Sequence, residues 1–174
     1  MLAIAVVGLV LGTRLLDQDN DDPPSRTSAA STTTRIDSER EVEDAFRAFV
    51  EMVARVDLAP DPDDPEIATR TTGATRSTFT KAVADRKANG TIVKTGPQDR
   101  QTIRSTSIKG DTATMSVCYV GQTGVYDAET GAVKQPMSTT TTPLAVTLTR
   151  EDGAWKVSRV SFEGAAKKGV TECD

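Results

Sequence analysis

Tyr119, the pair Cys118 and Cys173, and the acidic run Asp61-Pro62-Asp63-Asp64-Pro65-Glu66 carry the side chains best suited to chemistry in this sequence. The 174-residue chain contains no histidine. That excludes histidine metal sites, Ser-His-Asp triads and Cys-His dyads together. The acidic run has the composition of a calcium loop, but it lacks the sixth-position glycine and distal glutamate of an EF-hand. Asp64, Pro65 and Glu66 read instead as the cap, first-turn proline and first-turn acid of a helix. No metal and no other cofactor is expected. In an oxidising compartment the two cysteines read as a disulfide; otherwise they are two buried thiols. A Cys118–Cys173 bridge would close a loop of about 55 residues, worth roughly 3–4 kcal/mol in the chain-entropy account.

The compartment is read from the N-terminus. Residues 1–16 are almost wholly apolar and the first charge is Arg14. We read them as an uncleaved signal-anchor, slightly shorter than the roughly 17–25 residues of a usual span. Asp17, Asp19, Asp21 and Asp22 follow with no basic cluster, which permits export of what comes after. Residues 17–37 hold Pro23-Pro24 and Thr32-Thr33-Thr34 without apolar periodicity, as in a flexible tether reaching roughly 25 Å. Residues 38–174 then form an extracytoplasmic domain, held at the cell membrane by a single pass. The net charge of −4 argues against a nucleic-acid partner.

Helical and strand periods divide the chain into the segments that carry these residues. Ser38 and Glu41 match a capping box, and Val42, Ala45, Phe46, Phe49, Val50 and Val53 recur at helical spacing. This helix should end near Asp57. A short helix is expected over about Pro65 to Thr72, broken by Gly73. Another runs from about Ala74 to Ala88, with Phe79, Ala82, Val83 and Arg86 at helical spacing. From Thr91 the period changes to two. Strands are expected at Thr91–Thr95, Gln101–Ile108, Thr112–Val120, a short ribbon from Val125-Tyr126, Thr139–Thr149 and Ala154–Phe162. On the third, Ala113, Met115, Val117 and Tyr119 share one face, and Cys118 lies on the other. Pro143 implies an edge or a bulge. Asp152-Gly153 is a hairpin signal, and the change of face between Val157 and Val160 implies a bulge near Ser158-Arg159. The order predicts an α+β domain with N-terminal helices packed on a curved antiparallel sheet.

That order, with Leu144-Ala145-Val146-Thr147-Leu148 followed by Asp152-Gly153-Ala154-Trp155-Lys156-Val157, resembles the cone-shaped nuclear transport factor 2-like fold. Ketosteroid isomerases and SnoaL-type proteins have this fold. The resemblance covers about Ser38 to Phe162. With its leading anchor the chain is similar to single-pass mammalian-cell-entry-associated membrane proteins of high-GC Gram-positive bacteria. Enzymes of the fold work in the cone between helices and sheet. An isomerase site needs a carboxylate base, with a tyrosine and a protonated aspartate as oxyanion hole. Tyr119 points inward by strand parity, but Asp99 and Asp111 fall at strand ends or turns and supply no evident partner.

The expectation is therefore a non-catalytic accessory or scaffold protein of a cell-envelope complex. Its partner would be an envelope or membrane protein, or a second copy docked through the Thr-rich sheet. The alternative is a binder of a hydrophobic small molecule in the cone, with a lyase or isomerase third. The candidate pocket comprises Phe46, Phe49, Val53, Phe79, Met115, Val117, Tyr119 and Trp155. The competing reading is that these side chains fill the core.

Overall fold

A computed structural model describes residues 28–162 and Cys173. The proposed anchor, the first part of the tether and the tail before Cys173 lie outside the described residues. The elements run α1 (Ser28–Leu58), α2 (Pro65–Arg70), α3 (Gly73–Ala88), β1 (Thr91–Thr95), β2 (Arg100–Lys109), β3 (Thr112–Asp127), β4 (Val133–Glu151) and β5 (Ala154–Phe162). This is the α+β arrangement that the element order predicts, with helices packed on an antiparallel sheet. Among the described residues no helix is long and apolar enough to cross a membrane.

Two boundaries differ from expectation. The first helix begins at Ser28, so residues 28–37 are helical rather than tether, and Ser38 is an interior residue rather than a cap. No proline or glycine lies between Pro24 and Pro60, so nothing in that stretch stops the helix from extending toward its N-terminus. The hairpin between the third and fourth strands is also longer. Pairing continues from Thr112↔Thr149 out to Tyr126↔Val133, with irregularities between Thr123 and Tyr126. The ribbon expected at Val125-Tyr126 is thus the end of β3. The bulges absorb the misfit without ending the ladder.

The sheet is built around β3. One side of it carries β2 along residues 112–120 and then β1 along residues 123–127; the other carries β4, which in turn pairs with β5. In β5, Leu148 pairs with Val157 and Thr147 with Arg159. Ser158 is therefore the extra residue, at the bulge that the sequence implies. Its hydroxyl donates to the Thr147 carbonyl at 3.1 Å. The bulge returns Val160 and Phe162 to the face of Val146 and Leu144, their registered partners. Among the described residues Leu144↔Phe162 is the last pair with β5, so Pro143 falls just past that ladder, where a residue without an N–H is tolerated. Asp152 and Gly153 both have positive φ, 53° and 80°, as a two-residue hairpin requires.

Two apolar clusters hold the layers together. In the first, Val42 and Phe46 of α1 pack on Ala113, Met115, Val117, Leu144, Val146, Leu148, Trp155 and Val157. In the second, Met52 and Val56 of α1 meet Ile67 of α2 and Val83 of α3. The link between α2 and α3 is pinned to the sheet. Thr72 N–H donates to the Val157 carbonyl at 2.9 Å, and the Thr72 hydroxyl donates to Glu151 at 2.7 Å. Arg76 donates to the Thr71 carbonyl at 2.6 Å and to the Ala68 carbonyl at 2.7 Å, covering the end of α2. Cys118 and Cys173 form a disulfide with Cα atoms 5.4 Å apart, fastening the penultimate residue to β3.

Candidate functional site

Between α1, α3 and the sheet lies an open cavity of about 540 Å³. α1 lines it with Phe46, Phe49, Val50 and Val53, spaced so that all fall on one helical face. α3 adds Ala74, Thr75, Thr78, Phe79, Ala82 and Arg86. The floor is Gln101, Tyr119, Leu144 and Val146, and β5 supplies Arg159 and Val160 at its edge. The phenyl rings form a chain, with centroids 6.4 Å apart for Phe46–Phe49 and 6.5 Å for Phe49–Phe79. An apolar wall with a few polar groups is the usual make-up of a small-molecule site.

Five of the eight pocket residues expected from the sequence line this cavity: Phe46, Phe49, Val53, Phe79 and Tyr119. Met115, Val117 and Trp155 do not. They face the correct side, but Val42 and Phe46 cover them and they belong to the filled core. Arg150 lies over the Trp155 ring, its guanidinium carbon 5.8 Å from the centroid. The side-chain alternation thus identified the inward face, but the separation of filled core from open cavity depends on where α1 crosses the sheet. Arg86, Gln101 and Arg159 were missed as lining residues. Arg86 carried a signal, because it shares helical spacing with Phe79 and Ala82. Arg159 carried none, since its position depends on the Ser158 bulge.

The polar end of the cavity is assembled by the turn between β1 and β2. Gly96 N–H donates to the Gln122 carbonyl at 2.7 Å, and Asp99 N–H closes the turn on Gly96 at 3.0 Å. Gln98 N–H donates to the Gln122 side chain at 3.0 Å. These contacts bring Asp99 beside Tyr119, whose hydroxyl donates to it at 3.0 Å. Asp99 also accepts from Gln122 N–H at 3.2 Å and from the Gln101 amide at 3.3 Å. Burial pushes the Tyr119 hydroxyl up to about 12, helped by the hydrogen bond to Asp99 and the charges of Asp99 and Asp57. Gly121 permits this placement. A Cβ there would lie 2.7 Å from the Tyr119 ring, closer than real contacts allow.

Asp99 is thus the acidic partner for Tyr119 that sequence reasoning did not find. Its role differs from that in an isomerase. It accepts the tyrosine's proton in a hydrogen bond, whereas an oxyanion hole needs both groups to donate toward the substrate.

Behind the cavity wall, Arg86 donates to Asp57 in a partly buried ion pair. Burial dominates this carboxyl and pushes it up to about 6, against the lowering pull of Arg86. In the acidic run at Asp61–Glu66, two of the carboxylates are engaged by Arg55. Arg55 donates to Asp64 at 2.5 Å and to Glu66 at 2.9 Å. The Asp64 carboxylate also accepts Glu66 N–H at 2.9 Å as the cap of α2. The hydrogen bond from Arg55 is the main cause that holds Asp64 below its ordinary range. Among the described residues no group of three or more His, Cys, Asp or Glu is placed to hold a metal.

No protein-family model matches the chain, and no curated protein matches it. Solved structures do. The intermembrane-space region of the chloroplast protein ARC6 superposes with a TM-score of 0.59 at 13% identity, covering 71% of this chain and 95% of that one. An NTF2-like protein with a cystatin-like fold from Novosphingobium aromaticivorans is similar at a TM-score of 0.44 and 15% identity, covering 83% of this chain and 95% of that one. At 13% identity the likeness to the ARC6 region is one of fold: helices laid on a curled antiparallel sheet, with the site left to this chain's own residues.

Proposed function

We propose that the domain is a non-catalytic binder of a hydrophobic small molecule. The observation that carries this is the open cavity of about 540 Å³ between α1, α3 and the sheet, walled by three phenyl rings and aliphatic side chains. A domain that needed only stability would close that space, because an unfilled apolar volume weakens a core. The polar groups at the cavity support binding over catalysis. Tyr119 is engaged with Asp99 and Arg86 with Asp57, so neither forms a poised acid–base pair toward the cavity. The test is to purify the full chain from membranes, extract it with organic solvent and identify what is released by mass spectrometry. A stoichiometric apolar molecule is expected, absent from Ala82→Trp, which plugs the cavity. An empty cavity in the native protein, with no thermal stabilisation by any apolar compound, would refute the proposal.

A second reading places the same domain in a cell-envelope complex. Residues 1–16 would tether it outside the cytoplasm, and a membrane or envelope protein, or a second copy, would be its partner. The Cys118–Cys173 disulfide supports an oxidising location. The exposed Val133–Thr141 stretch of β4 supports a partner, because among the described residues no strand pairs with its edge away from β3. Cross-linking in intact cells with a tagged chain tests this. A specific envelope partner or a self-linked dimer is expected, and a chain recovered alone in the soluble fraction refutes it.

A further inference from the structure

Resting on the cavity-binding reading, we infer that the occupant is an amphiphile with an anionic head, the head held by Arg159 and the tail running along α3 toward Arg86. The charges at the cavity carry the inference. Two arginines line it and, among the described residues, no carboxylate does. Arg86 already has its counter-ion in Asp57. The Arg159 side chain makes no hydrogen bond or ion pair among the described residues, and the residue is exposed. The uncompensated charge at this cavity is therefore positive, and it sits at the rim.

The geometry separates the two arginines along the cavity. Arg159 follows Ser158, whose carbonyl oxygen lies 3.6 Å from where a Cβ on Gly73 would be. That places Arg159 near the first turn of α3. Arg86 lies in the last turn of the same helix. The rise between Thr75 and Arg86 is about 16 Å. Over that span the α3 wall contributes Thr78, Phe79 and Ala82, with Phe49 opposite. Val160, next to Arg159, lines the cavity while 40% exposed. One cation beside an apolar mouth, opening on an apolar run, matches a charged head and an alkyl tail. A neutral ligand leaves Arg159 unused, and a cationic head would face it at close range.

The test uses the full chain and four dodecyl probes by isothermal titration calorimetry: dodecanoate, dodecyl phosphate, dodecanol and dodecyltrimethylammonium. The anionic probes should bind about tenfold more tightly than dodecanol, as expected for one charge-assisted hydrogen bond. The cationic probe should bind most weakly. Arg159→Gln should bring the anionic probes to the level of dodecanol in the same variant, while Arg159→Lys should retain part of the preference. Thr78→Trp should abolish binding of all four. Dodecanol binding as tightly as dodecanoate overturns the anionic assignment and leaves the cavity reading standing. An unchanged preference in Arg159→Gln overturns the role of Arg159. No heat from any probe overturns the cavity reading together with this inference.

Discussion

Asp57→Asn should remove a pH dependence that the buried carboxyl imposes on folding. Asp57 is 8% exposed, near the end of α1, and among the described residues its charge is compensated by Arg86 alone. Burial still raises it from 3.8 to about 6. The folded protein therefore keeps the proton over a pH range in which the unfolded chain has released it. The stability from this group is full below pH 3.8 and is lost as pH rises through about 6. At about 1.4 kcal/mol for each pH unit, the interval amounts to about 3 kcal/mol. Asp64, Asp127 and Glu151 are shifted downward, so they act with the opposite sign at lower pH and are common to both proteins. The quantity to measure is thus the difference between wild type and variant. Urea unfolding followed by Trp155, the sole tryptophan and a core residue, gives that difference at each pH. Between pH 4 and pH 8 it should change by about 2.4 kcal/mol in favour of Asp57→Asn. Arg86→Met should move the midpoint of the same titration above 6, since it removes the only lowering influence. Parallel stability curves for wild type and Asp57→Asn would show that Asp57 is not a buried, proton-retaining carboxyl, and the reasoning would fail.

Replacing Cys118 and Cys173 by serine should cost roughly 3–4 kcal/mol, read as a lower urea midpoint than that of the oxidised wild type. Gly121→Ala should displace the Tyr119 ring, whose carbon lies 2.7 Å from the added Cβ. The cost should be about 1–3 kcal/mol, and tyrosine absorbance should show Tyr119 ionising below its value of about 12. Asp99→Asn should lower the same ionisation without adding volume, because it replaces a charged acceptor by a neutral one and so holds the phenol proton less strongly. Ile67→Ala should cost about 2–5 kcal/mol in thermal or urea melts, because Ile67 joins α1, α2 and α3 at 2% exposure.

The fold was largely legible because its signals are local. β1 and β5 begin and end at the expected residues, where β-branched runs meet turn residues. The Ser158 bulge could be read from a change of face within nine residues. Where the expectation erred, the deciding force was not local. The start of α1 lacks any stop signal, and the continuity of β3 comes from pairing with β4 at Gly121 and with β1 at Gly124, not from its own residues.

The site divides in the same way. Helical and strand periodicity placed Phe46, Phe49, Val53, Phe79 and Tyr119 on inward faces, since side-chain direction follows from backbone period alone. That Met115, Val117 and Trp155 are covered while Tyr119 meets open space follows from packing between distant elements. That depends on the line along which α1 crosses the sheet. The Tyr119–Asp99 pair spans 20 residues and the Asp57–Arg86 pair 29. No periodicity links such distant residues. A turn folded against Gln122 makes the first pair, and α1 packed beside α3 makes the second.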